Sequence, residues 1–134
     1  MKKEKTTQGY MQLQMITGQL SQLHEQFRMV DSQLAELENI KNSVDELQDI
    51  KTGSEMFAPI SNGIFVKSKL QDNENFIVNM GGGITISKDH NQLRGFLDKQ
   101  SNDLKKFQTD LLTRIQSLNL QTDYLKKEIS KYAK

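Results

Sequence analysis

Cysteine is absent from this 134-residue chain, which removes disulfides, thiolate nucleophiles and cysteine-ligated metals. A reducing compartment fits that absence. Tryptophan is also missing, there is a single proline, and only 35% of residues are hydrophobic, so there is little material for a globular core. Mean hydropathy is −0.66. Such a mixture suits a coiled coil, in which only a narrow seam is buried. No apolar run approaches the roughly 20 residues a membrane helix needs, and no apolar stretch of a secretory leader follows MKKEKTTQGY. With 18 basic and 17 acidic residues, the formal charge of +1 provides no field to attract nucleic acid or anionic lipid. The expectation is one soluble, cytoplasmic domain that depends on protein partners, with no nucleic acid and no membrane among them.

What is present is period. Leu13, Ile16, Leu20, Leu23, Phe27, Val30, Leu34 and Leu37 alternate steps of three and four, the seam of a left-handed coiled coil. Ile40, Val44 and Leu47 extend it after a step of three where four is due, a stammer. The spacing predicts helix 1 over 7–51, with Gly53 as the residue that ends it. The last third repeats the pattern through Leu93, Leu97, Leu104, Phe107, Leu111, Ile115, Leu118, Leu125, Ile129 and Tyr132. Gln100 and Thr122 fill polar seam positions, and Leu111 to Ile115 reads as a stutter. Helix 2 is expected over 89–132, N-capped by Asp89. The arms match in length and oppose in charge. Residues 10–51 hold seven acids and three bases, and residues 91–134 hold five acids and nine bases. An antiparallel hairpin with both termini at one tip follows; arms that pair with other chains are the alternative.

Between the arms lies a β island over 56–87. Short strands are expected at 57–60, 64–70, 76–80 and 84–86, with Asn62-Gly63 as a two-residue turn in which both residues tolerate positive φ. Pro59 places the first strand at an edge. Four strands of this length make a sheet with one apolar face and two open edges, an adhesive object that the coil, leaving end-on, does not cover. Ile64, Val66, Phe76, Val78, Ile84 and Ile86 are the candidate oligomerisation residues. The fold class is therefore α+β, mainly α: a long antiparallel coiled-coil hairpin with two central β-hairpins that oligomerise into a β-barrel body.

Catalytic chemistry finds no foothold. Gly81-Gly82-Gly83 precedes a strand and is followed by no Lys-Ser/Thr, so it reads as a bend and not a phosphate loop. His24 and His90 lack partners at ligand spacing, and Glu36/Glu38 and Asp45/Glu46 lie on solvated helix without a cleft. No enzyme activity, cofactor or metal is expected. The tip is more informative. Tyr10, Met11, Leu13, Met15 and Ile16 meet Leu120, Tyr124, Leu125, Ile129 and Tyr132 there, more apolar mass than one seam requires. Ordinary packing accounts for part of it; flexible apolar surface for promiscuous contact is the other reading. Lys2, Lys3, Lys5, Lys126, Lys127, Lys131 and Lys134 fringe the same tip, for solubility or to hold acidic segments of a partner.

The segment PISNGIFVKSKLQDNENFIVNMGGGITISK resembles the α-class prefoldin pattern at Pro59, Ile60, Gly63, Phe65, Val66, Asp72, Ile77, Val78, Gly81, Gly83 and Ile86. The likeness in layout covers nearly the whole chain, and two hairpins match the α class where the β class has one. The resemblance implies a hexamer of two α-type and four β-type subunits whose hairpins join in β-barrels. It also implies tips that hold unfolded chains and pass them to a group II chaperonin without ATP, in an archaeal or eukaryotic cytosol. On that footing Tyr10, Met11, Leu13, Met15, Ile16, Leu125, Ile129 and Tyr132 are the candidate client contacts. A structural spacer or filament-forming relative built from one subunit type has the same layout.

Overall fold

The computed structural model describes residues 2–132, with side chains described from 3 to 131. The elements run α1 (Lys2–Gln48), β1 (Glu55–Ser61), β2 (Ile64–Lys69), β3 (Asn75–Gly81), β4 (Ile84–Asp89) and α2 (His90–Tyr132). Two long helices and two antiparallel hairpins give the expected mainly α arrangement. Helix α1 stops three residues before the predicted Lys51. The amides of Asp49 and Ile50 fold back on the carbonyls of Glu46 and Leu47, tightening the last turn. Asn73, from the link between the hairpins, donates its side-chain amide to the carbonyls of Gln48 and Ile50 at 3.3 and 2.8 Å. Gly53 is therefore not the helix stop. At φ 87° it opens the first hairpin, its amide donating to the Leu70 carbonyl at 2.6 Å.

Helix α2 starts as expected. The Asp89 carboxylate accepts from the Gln92 amide at 2.7 Å, and the Gln92 side-chain carbonyl accepts from the Asp89 amide at 3.0 Å. This reciprocal capping box satisfies two otherwise orphaned donors.

The chain divides into two compact units. The first joins α1 as far as Leu34 with α2 from Asn102 onward. Its core is an antiparallel seam of Leu23, Val30, Leu111 and Ile115, flanked by Leu20, Phe27, Leu34, Leu104 and Leu118. Gln108 donates to Asp31 across it at 2.9 Å. Phe107, expected in the seam, is exposed, and Gln108 takes the half-buried position. Gln108, Leu111, Ile115 and Leu118 then alternate four and three from Leu104, so the stutter is absent. A helix holds its angular register more strictly than its composition, and a glutamine whose amide finds Asp31 satisfies that register.

The second unit spans Ala35–Ser101. Here Lys41, not Ile40, takes the seam: Lys41 is 7% exposed and Ile40 is 40% exposed. Leu37, Lys41 and Val44 keep the alternation, and the stammer disappears. The lysine stem packs in the seam while its ammonium reaches the half-exposed Asp98 carboxylate at 2.8 Å, so overwinding is avoided. Opposite, buried Ser101 replaces the expected Gln100. Val44, Leu93 and Leu97 form the core of this unit, and Leu37, Phe76, Val78 and Phe96 pack on it. Asp45 clasps His90 Nε2 at 2.9 Å and Arg94 Nη1 at 2.7 Å.

The strands form two separate two-stranded sheets, β1-β2 and β3-β4, and not one sheet of four. They repeat one another at an offset of twenty: Ala58 pairs with Val66 as Val78 pairs with Ile86, and Ser61 with Ile64 as Gly81 with Ile84. Each has a bulge just before its turn. In the first turn only Gly63 has positive φ, at 74°, and Asn62 does not, which corrects the expected pair of positive-φ residues. The bulge supplies the extra residue that makes this possible. In the second turn Gly81, Gly82 and Gly83 all have positive φ, and Asn79 Oδ1 accepts from the Gly81 amide at 2.9 Å. The triple glycine is thus a hairpin turn.

Two consequences are measurable. Asp98→Ala leaves the Lys41 ammonium in the seam without its carboxylate and is expected to cost about 1–3 kcal/mol. Lys41→Leu should stay within about 1 kcal/mol of the parent, because an apolar side chain replaces a pair that costs desolvation; urea unfolding followed by circular dichroism separates the two. The second consequence concerns Asp72, whose carboxylate accepts from the amides of Glu74 and Asn75 and from the Asn75 side chain. These bonds, the Glu74 amide first, hold its carboxyl below the usual carboxylate range. Its contribution to stability is therefore present above the unfolded value of about 3.9 and is lost as the pH falls through the lower folded value. An NMR titration of the Asp72 carboxyl should give a midpoint below that of unstructured aspartate; an ordinary midpoint contradicts the assignment.

Candidate functional sites, one in each unit

The first unit brings most of the candidate client residues to one end of its coil. Gly9 of α1 is buried there against Ile129 of α2; a Cβ on Gly9 would lie 2.8 Å from Ile129 Cγ1. Glycine inside a helix costs about 1 kcal/mol relative to alanine, and the close approach of the arms is what it permits. Leu13, Ile16 and Leu125 are half-buried and Ile129 is 8% exposed, so these four spend much of their surface on the seam. Tyr10, Met11 and Met15 are exposed, Met15 by 68%. The side chain of Tyr132 lies outside the described residues. Leu120 and Tyr124, outside the predicted client set, are exposed as well. Thr122 puts a buried hydroxyl into this stretch of seam with no hydrogen-bond partner among the described residues.

Grooves flank the coil at this end. One of about 470 Å³ is bounded by Met15 and Ile16 of α1 and by Tyr124 and Leu125 of α2. Another of about 300 Å³ runs past Gly9 and Ile129 and shares Gln12, Tyr124 and Leu125 with the first. Lys3, Lys5, Lys126, Lys127 and Lys131 are exposed on the same segments.

The second unit holds the candidate assembly residues. Ile64, Val66, Ile84 and Ile86 are exposed on the two hairpins. Phe76 and Val78 are not: they are half-buried on Val44, Leu93 and Leu97, and Lys88 Nζ sits 5.4 Å from the Phe96 ring centroid. The expectation that the coil leaves the hairpin face uncovered therefore fails for these two residues, because the helix ends of their own unit reach them. Sequence reasoning also missed exposed residues on the hairpins. Phe57, Ile60, Phe65, Ile77 and Met80 are all open to solvent, Ile77 by 80%. The twenty-residue repeat was the signal, since it shows both strand faces apolar in each copy.

Among the described residues, no group of three or more histidine, cysteine, aspartate or glutamate side chains has the geometry of a metal site. The Asp45–His90–Arg94 clasp ties α1 to α2 within its unit. Among the described residues no helix is long and apolar enough to cross a membrane.

Comparison with known proteins agrees with this geometry. The family profile described as prefoldin subunit matches residues 16–134. Prefoldin subunit alpha of Methanobrevibacter smithii is 29% identical over 97 residues, covering 72% of this chain and 66% of that protein. Prefoldin subunit alpha of Methanococcus aeolicus is 25% identical over 126 residues, covering 94% of this chain and 85% of its own length. In three dimensions the chain is similar to a filamentous PFD from Methanocaldococcus jannaschii solved by cryo-EM. That likeness has a TM-score of 0.78 at 17% identity, over 86% of this chain and 95% of the other. Two long helices, a pair of repeated hairpins and a profile that runs from Ile16 of α1 to the last residue lead to one assignment: the chain belongs to the prefoldin family of chaperone subunits.

Proposed function

We propose that this chain is an α-class prefoldin subunit that holds unfolded polypeptides without ATP at the chain-terminal end of its coil and delivers them to a group II chaperonin in the cytoplasm. The observation that carries the reading is the presence of two separate apolar surfaces with different chemistry. The hairpin surface is aliphatic and aromatic and is borne on two small sheets whose edges are unpaired among the described residues. Moving one large apolar side chain out of water contributes about 1.5–3 kcal/mol, so surfaces of this kind drive stable assembly. The coil-end surface carries two methionines and two tyrosines beside Leu120, and methionine and tyrosine adapt to varied contacts. Several such ends in one assembly give avidity that no single end provides. The assembly proposed is two copies of this chain with four β-type subunits.

A second reading follows from the hairpin repeat and the likeness to a filamentous PFD. If the hairpin of one copy accepts that of the next, a single chain type grows into a filament that serves as a structural spacer and transfers no client. Native mass measurement separates the two: a closed hexamer formed only on mixing with a β-type subunit supports the first reading, and filaments from this chain alone support the second.

Deleting residues 1–12 and 127–134 should leave the oligomer intact and remove suppression of aggregation, read by light scattering of a denatured test protein. Ile64→Asp with Ile84→Asp should do the reverse at the level of mass, reducing the assembly to single chains. Aggregation suppression that survives the truncation contradicts a client role for Tyr10, Met11, Ile129 and Tyr132.

A further inference from the structure

Resting on the holdase reading, we infer that the unfolded segment docks in the groove on one flank of the coil end, extended and with the seam closed, and that glutamine side chains pair with its backbone amides. The seam is occupied: Gly9 and Ile129 are in contact, and both are buried. The flank is open. Half-buried Ile16 and Leu125 line it together with exposed Met15, Tyr124, Gln12, Gln19 and Gln121. A second stretch of groove shares Gln12, Tyr124 and Leu125 with it and is lined further along by Gly9, Gln8, Lys5 and Glu128.

Dimensions and chemistry select the occupant. From Lys5 to Gln19 the groove follows α1 for about 21 Å, the length of about six residues of extended chain. A helix, about 10–12 Å across with its side chains and with its backbone groups already paired, gains nothing from an amide rim. The same holds for the coil of a second copy. A glutamine side chain carries both a donor and an acceptor, so a row of them meets the alternating N–H and C=O groups of an extended backbone whatever its side chains are. Lys5 and Glu128 oppose each other in charge at one end and are the two charged residues that line these stretches. An acidic client segment is therefore not what this surface selects. Extended polypeptide with apolar side chains at alternate positions fits it: main-chain amides go to the rim and side chains to Met15 and Tyr124.

The test uses the full-length protein in its assembled state and a fluorescent decapeptide of alternating leucine and serine. A second version of the peptide is N-methylated at every other backbone amide. Anisotropy should show the methylated peptide binding about tenfold more weakly, the loss expected from two backbone hydrogen bonds. Gln12→Ala with Gln121→Ala should weaken the plain peptide by about tenfold and leave the methylated one nearly unchanged. Tyr124→Ser should weaken both, and raising salt should change binding by less than about twofold, since no charged pairs form. Equal binding of the two peptides, or wild-type affinity in the glutamine variant, overturns the proposal. So does tighter binding by Gly9→Ala, in which the new methyl displaces Ile129 and loosens the seam. Aggregation suppression that stays at the parent level in all of these variants overturns the groove and leaves the holdase reading standing. Failure of the parent protein to suppress aggregation removes both.

Discussion

Packing of α1 against α2 within one chain is the constraint on which the rest depends. The seam is one side chain wide and is shared by two arms, so each buried position must be filled and must fall in register. In the first unit Leu23, Val30, Leu111 and Ile115 meet that demand with aliphatic volume. In the second, Lys41 and Ser101 meet it with polar side chains, and Asp98 compensates the buried ammonium. Having spent its apolar residues on so thin a core, the chain has few ways to cover its hairpins. Some of their surface is covered by Val44, Leu93 and Leu97, and the remainder faces water.

That imbalance connects the fold to the proposed activity. A subunit that leaves Phe57, Ile60, Phe65 and Ile77 exposed lowers its free energy by meeting other subunits, and prefoldin subunits assemble with one another. The coil end differs in kind. Its exposed residues are Tyr10, Met11, Met15, Leu120 and Tyr124, set beside glutamines, and they belong to a seam that is already closed. A surface of adaptable side chains on a rigid support is suited to repeated weak capture, and an aliphatic sheet face is suited to permanent contact.

Much of this was legible in the residues. Alternating steps of three and four located both helices; Asp89 marked the start of α2; Asn62-Gly63 marked the first turn, and the triple glycine, read as a bend, proved to be the second. The failures share a cause. Counting apolar residues put Ile40 and Phe107 in the seam, where geometry puts Lys41 and Gln108, because periodicity does not weigh a partner on the other arm. The joining of four strands into one sheet was an inference from proximity in sequence, and hydrogen-bond pairing that stops at β2 and resumes at β3 is not written there. Phe76 and Val78 were read as free, since their contacts with Val44, Leu93 and Leu97 cross long stretches of chain. The hairpin expectation brought Ile129 to the tip beside Tyr10 and Met11, but it did not single out Gly9 as the residue that Ile129 packs against.

Methionine provides natural reporters for the claim that assembly and client capture use separate surfaces. Met11 and Met15 stand at the coil end and Met80 on the second hairpin, all exposed within the single chain. Methyl-selective NMR of the assembled protein, labelled at methionine and titrated with an unfolded polypeptide, reads all three in one spectrum. The account predicts that the Met11 and Met15 resonances move while Met80 stays fixed. Movement of Met80 alone would contradict it.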